Sequence, residues 1–113
     1  MDESAFIGAA DATLNKIGLA LDAALETGGA DLDWEVRDGV LTIECDDGSR
    51  IIVNRHVPNR EIWVAAKSGA FHFRPDGGRW RDTRSSDDLG AVLVRLLKSQ
   101  GRITVRMPDL PAP

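Results

Sequence analysis

Apolar residues at Phe6, Ala10, Leu14, Ile17, Leu21 and Ala24 recur at spacings of three and four. That is the stripe of an amphipathic helix, and it predicts a first helix from a cap at Asp2 or Ser4 to about Glu26. The Gly28, Gly29 pair then ends the helix and turns the chain. Beyond it the period falls to two. Leu32, Trp34 and Val36 alternate with Asp31, Asp33 and Glu35, and after the Asp38, Gly39 hairpin signal Leu41, Ile43 and Cys45 continue the inward set. Asp46, Asp47 and Gly48 make the next turn, Ile51 and Val53 the next inward pair, and Pro58, Asn59 a loop before Ile62 and Val64. Ser68, Gly69 turns the chain into a strand from Ala70 to Phe73, and a polar loop through Pro75, Gly77 and Gly78 leads to a short piece at Trp80.

A second helical stripe follows at Leu89, Val92, Leu93, Leu96 and Leu97, with a cap at Ser85 or Ser86, Asp87 and Asp88 in its first turn, and Gly101 as its stop. Ile103, Val105 and Met107 then alternate before a proline-rich end, which places the tail along the groove between the helices. The order helix, meander, helix predicts an α+β two-layer sandwich. Both helices bury their stripes on one face of an antiparallel sheet of five to six strands, and the other face is open to water. A length of 113 residues fits one domain with one core.

The same alternation sends one large aromatic to the wet side. If Ile62 and Val64 face the core, Glu61, Trp63 and Ala65 face outward. Tryptophan is highly buried on average, so a neighbouring loop covering it is the plain alternative. Asn54 on the polar parity of the preceding strand, with Arg55 and His56, is expected to flank Trp63 in a mixed polar and aromatic patch of the kind partners use.

Charge changes the picture more than composition does. The net charge is -4, yet residues 1 to 35 hold eight acids against Lys16, a net of -7, whereas the remainder has ten acids against thirteen bases. An acidic half argues against nucleic acid as its partner and favours cations or a basic protein surface. Asp11 and Asp22 lie eleven residues apart, nearly three helical turns, with Glu26 one turn on. Asp22, Glu26, Asp31 and Asp33 are expected to converge where the helix meets the first strand. Such a run is either a solvated face or an oxygen-ligand edge for hard ions, with iron(II) accepted weakly. No stretch approaches a membrane span, and the acidic start, Met1, Asp2, Glu3, is unlike a signal peptide, so a cytoplasmic location is expected. Cys45 is the only cysteine, which fits a buried small hydrophobe.

Catalytic motifs are absent from the sequence: it has no G-x-S-x-G elbow, H-E-x-x-H, P-loop or dinucleotide fingerprint. His56 and His72 are open to a metal role, although a loop histidine and a strand histidine more often serve as solvated or hydrogen-bonded residues.

Several segments in one order carry a resemblance: the acid-rich first helix, the G-V-L-T-I strand, the D-G-S turn, N-R-x-x-P, I-W-x-A, S-G-x-F-H-F, and W-x-D-x-R from Trp80 through Asp82 to Arg84. Together they resemble the bacterial frataxins, the CyaY family, over most of the chain. The resemblance implies iron binding at an acidic ridge on the first helix and first strand, here Asp22, Glu26, Asp31 and Asp33, extending to Glu35 and Asp11. It implies a partner surface at Asn54, His56 and Trp63, and a non-enzymatic role in iron–sulfur cluster assembly with the cysteine desulfurase and the scaffold protein. In that role the protein is an iron-dependent regulator or iron donor, a monomer that iron can assemble. Iron oxidation or storage, or a metal-independent interaction module, are the alternatives. Gly18, Leu19, Ala23 and Leu25 stand where relatives often carry acids, so fewer ions are expected to bind, and His56 stands in place of the glutamine of an N-R-Q loop.

Overall fold

The computed structural model describes residues 1–28 and 30–113, so the expected turn at Gly29 lies outside the described residues. Helix α1 runs Glu3–Thr27 and is capped by Asp2, whose Oδ1 accepts from the Ala5 N–H at 2.7 Å. Six strands follow: β1 Asp33–Arg37, β2 Val40–Glu44, β3 Arg50–His56, β4 Glu61–Ala66, β5 Gly69–Asp76 and β6 Arg79–Asp82. They pair in sequence order, all antiparallel, and α2 spans Leu89–Ser99. The Asp38, Gly39 turn has φ values of 51° and 76°, the left-handed pair that a two-residue hairpin needs to match strand twist.

One face of the sheet is dry. Leu41, Ile43, Ile51, Val53, Ile62, Val64 and Phe73 are buried there beneath Phe6, Leu14, Ile17 and Leu21 of α1 and Leu89, Val92, Leu93 and Leu97 of α2. Trp80 is fully buried, meets Phe6 edge to face at 5.9 Å, and donates its indole N–H to the Thr13 hydroxyl at 3.1 Å. Asp82, also buried, accepts from the Arg84 N–H at 2.7 Å, and the Arg84 guanidinium reaches the Ala70 carbonyl at 2.9 Å. The W-x-D-x-R segment is therefore a corner that fixes β6 against β5.

The start of α2 differs from expectation. Asp88 is the N-cap, its Oδ2 accepting from the Gly90 N–H at 3.1 Å, and no acid occupies the first turn. The displaced start has a cause: the Asp87 carbonyl accepts from Asp82 N–H at 2.8 Å and Asp88 bridges to Arg81, which holds residues 87–88 beside β6. Ser86, at φ 67°, precedes that segment instead of capping the helix. The stop comes at Gln100, whose N–H donates to the Leu96 carbonyl, one residue ahead of the expected Gly101.

The tail buries Ile103 and Val105 in the core and touches both helices. Lys16 of α1 donates to the Asp109 carbonyl at 3.5 Å, and Met107 and Leu110 lie over Gly90 of α2. Its end then bridges β6, Pro111 to Arg79, with the Ala112 N–H on the Gly78 carbonyl at 2.9 Å. The outer side of β6 is thus lined by the chain's own segments, whereas among the described residues β1 pairs on one side only.

Candidate functional site

Ile62 and Val64 are buried, and Trp63, half-buried, stands on the opposite, wet face of the sheet. Asn54 is its cross-strand partner on β3 and His72 its partner on β5. The indole is sandwiched. His56 stacks on one side at 3.6 Å between ring centroids and 8° between planes, and His72 stacks at 4.3 Å and 12°. Because three adjacent strands supply the rings in order, both faces of the indole are covered and only its edges meet solvent. The indole N–H donates to Glu61 at 2.8 Å, and His56 Nδ1 accepts from the Asn59 N–H at 3.3 Å. Trp63 is therefore a locked plank. His72 was not among the expected contact residues, yet strand parity placed it beside Trp63 once the register was known.

Arg55, expected beside Trp63, belongs to the other face. It pairs with the buried Ile62, runs past Gly39 and forms an ion pair with Asp11 of α1. A Cβ at Gly39 would stand 2.3 Å from the Arg55 side chain, so this turn needs glycine for space as well as for its φ. Asp11 is thus engaged in fastening α1 to the sheet.

The other acids of the expected ridge lie in the last turns of α1 and on or just before β1. Asp22, Glu26, Asp31, Asp33 and Glu35 are all exposed. They do not converge: among the described residues no three of His, Cys, Asp and Glu stand close enough to hold a metal ion. The reason for the spread is local. Asp22 turns to β1, where its Oδ1 accepts the Trp34 indole N–H at 2.8 Å, while Asp33 and Glu35 take the outward parity of the strand. Asp33 lies directly opposite Glu44, and both line a shallow trough with Trp34, Glu35, Thr42 and Arg50. Glu44, missed in the sequence, sits on the same outward parity, where like charges directly opposite cost stability. Arg50 relieves part of this at 3.6 Å from Glu44. Gly18, read as a position lacking an acid, is buried beneath the Trp34 ring.

Two titratable groups depart from their ordinary ranges. The Asp47 carboxyl is held well below the usual carboxylate range, first by its bond with Lys67 and then by Ser49. Burial pushes the Cys45 thiol up, so this residue is a packed core group and not a nucleophile.

A sequence model of the frataxin-like domain matches residues 1–103. The chain belongs to this family. The frataxin-like chain is 42% identical over 107 residues to the iron-sulfur cluster assembly protein CyaY of Ralstonia nicotianae, covering 95% of each chain. It is 52% identical over 101 residues to the protein of the same name from Dechloromonas aromatica, covering 88% of this chain and 92% of that one. Among solved structures, the frataxin of Psychromonas ingrahamii superposes with a TM-score of 0.86 at 29% identity, covering 96% of this chain and 100% of that one. Trimeric yeast frataxin complexed with ferrous iron superposes at 0.73 with 26% identity, over 83% of this chain and 86% of that one. The two helices on a six-stranded antiparallel sheet are the frataxin architecture, as the sequence resemblance implied.

Proposed function

We propose that this frataxin-like chain is an iron-binding adaptor of iron–sulfur cluster assembly, not an enzyme in its own right, acting in the cytoplasm on the cysteine desulfurase and the scaffold protein. The observation that carries the reading is near full-length similarity to relatives named for cluster assembly, on a fold whose wet sheet face carries acids at the β1 edge and the Trp63 stack on β3 to β5. Iron in this role is cargo and not a resident cofactor. The donor chemistry suits it: Asp22, Glu26, Asp31, Asp33 and Glu35 offer hard oxygens, and their spread implies one or two carboxylates per ion with water completing the shell. Binding is then weak, salt-sensitive and readily given up, which suits a donor or an iron-sensing regulator. Trp63, with Asn54 and His56, forms the second contact, where a rigid aromatic anchors the partner that the acidic end has drawn in by charge.

The lack of a preformed carboxylate cluster among the described residues favours one second reading, a metal-independent interaction module. Anaerobic titration with iron(II), followed by backbone NMR, tests the first: resonances of Asp22, Glu26, Asp31 and Asp33 should broaden before those of His56 and His72. Broadening confined to the histidines sinks the ridge assignment. A desulfurase assay that responds equally with and without iron decides for the module.

A further inference from the structure

Helix α1 has two flanks of opposite character. Asp11 and Asp22 turn to the sheet, one paired with Arg55 of β3 and the other bonded to the Trp34 indole of β1. Ala12, Lys16, Leu19 and Ala23, at spacings of four, three and four, make a separate stripe, and all four are exposed. Leu19 is 68% exposed, and among the described residues only Met1 is another large apolar side chain so open to water. Lys16 reaches the Asp109 carbonyl at 3.5 Å, so this stripe borders the tail.

The tail lies between that stripe and α2. The Ile103 N–H donates to the Leu97 carbonyl at 3.2 Å, and farther on Met107 and Pro108 share a hollow with Ala91 and Val94 of α2. Ile103 and Val105 point into the core, so the alternating residues Arg102, Thr104 and Arg106 point outward, and all three are exposed. The result is a shallow valley with a basic floor. One wall carries Lys16, Leu19 and Ala23, and the other Ala91, Val94 and Lys98. Residues 89–108 include Arg95, Lys98, Arg102 and Arg106 and no acid, and of these bases only Arg95 leaves the valley, lining a hollow with Ser68 and Arg84 on another side of α2. Lys16, Lys98, Arg102 and Arg106 have no ion-pair partner among the described residues. Acids stand at its two ends: Asp109 at one, and at the other those around β1, beyond the place where Gly101 packs near Leu32.

We propose that this valley docks an acidic amphipathic helix of a partner protein. Unpaired guanidiniums on the floor match carboxylates, and apolar walls at helical spacing suit the flanks of a third helix laid along the tail. The backbones of Arg102 and Arg106 are separated by at most about 14 Å of chain, close to two helical turns at about 11 Å, so acids seven residues apart on the partner fit them. A phosphate surface fits less well. Leu19 alone offers too little apolar area to enter a lipid layer, and the net charge of -7 on residues 1 to 35 opposes a polyanion. The valley lies on the helical side of the molecule, opposite the face that carries Trp63.

The test is an NMR titration of the isotope-labelled chain at low salt with a blocked, alanine-rich helical peptide of sixteen residues that carries Glu at two positions seven apart, flanked by Leu. Shifts should centre on Leu19, Val94, Thr104 and Arg106, with a Kd below about 1 mM, and the affinity should fade as salt rises. Arg106→Glu should weaken binding about tenfold or more and Leu19→Ser about fivefold, whereas Arg106→Lys should keep most of the affinity. Because these side chains are exposed, the melting temperatures of all three variants should hold. The same peptide with Lys for Glu should leave the resonances unmoved. No shifts, shifts centred on the Trp63 face or on β1, wild-type affinity in Arg106→Glu, or equal binding of the Lys peptide overturn the proposal. So do phosphatidylglycerol vesicles or a short RNA duplex that bind the same residues more tightly than the peptide, since the valley would then serve a phosphate surface.

Discussion

Replacing Gly18 by alanine sets two rules against each other, and the structure decides between them. Gly18 lies inside α1, where alanine ordinarily stabilises a helix by about 1 kcal/mol relative to glycine. Here an added Cβ would stand 2.5 Å and 2.6 Å from two ring carbons of Trp34, closer than carbon atoms pack. Trp34 cannot yield easily, because its strand pairs with β2 and its indole N–H is fixed on Asp22. Overpacking of this kind costs about 1–3 kcal/mol, so after the helical gain Gly18→Ala should lose about 1 kcal/mol net. Urea unfolding followed by far-UV circular dichroism measures it, and the indole Nε1–H resonance of Trp34 should move as the bond to Asp22 loosens. Adding Trp34→Ala to Gly18→Ala should make the alanine at 18 favourable, since the obstructing ring is gone, so the double-mutant cycle must show coupling. A single Gly18→Ala chain that gains stability, or a cycle without coupling, would refute the packing of Trp34 on this helix face.

Trp63→Ala should fold with a loss of about 1–2 kcal/mol, since it removes two stacking contacts without opening a core cavity, while costing about 2 kcal/mol or more of binding to the assembly partner; a melting curve beside a binding isotherm separates the two. Asp31→Asn with Asp33→Asn should raise stability at low ionic strength by about 0.5 kcal/mol, whereas Asp11→Asn should lower it because Asp11 is the ion-pair partner of Arg55; chemical denaturation at two salt concentrations tests the opposite signs. The Asp47 carboxyl is lowered by Lys67 and Ser49, so its stabilising contribution is fully present above the ordinary aspartate range near pH 4 and is lost as pH falls through the lowered value; melting temperatures of Asp47→Asn should therefore depend less on acid than those of the wild type.

Much of the architecture was legible because one face of each element is dry. The two-residue alternation through Ile62, Trp63 and Val64 fixed which side of the sheet Trp63 takes, since reversing it would have buried Glu61. Ring stacking was not legible: His56, Trp63 and His72 come from three strands whose mutual register only the pairing reveals. Arg55 was misplaced for a related reason. As an arginine it reads as polar and outward, yet its long stem crosses Gly39 to reach Asp11, with the charge satisfied at the edge of the core. Helical spacing correctly put Asp22 and Glu26 on the outer side of α1. It could not show that Asp22 would turn to an indole N–H, so the expected convergence of acids is replaced by a dispersed edge. The start of α2 moved to Asp88 because two backbone contacts to β6 outweighed the serine cap signal.

The asymmetry of the two sheet edges limits what the folded chain can build from itself. Extension of a sheet into a filament requires each copy to offer two free edges, one to receive a neighbour and one to be received. Here β6 is already lined by residues 87–88 and by the tail at Pro111 and Ala112, which, among the described residues, leaves β1 with a strand on one side only. Strand pairing between two such molecules joins β1 to β1 about a two-fold axis and then has nowhere to continue. Even that single event sets Asp33 and Glu35 of one copy beside those of the other, so in the absence of cations it is opposed by charge. Removing the last residues of the tail would uncover part of the second edge, and with it the route from a closed pair to an open chain of molecules.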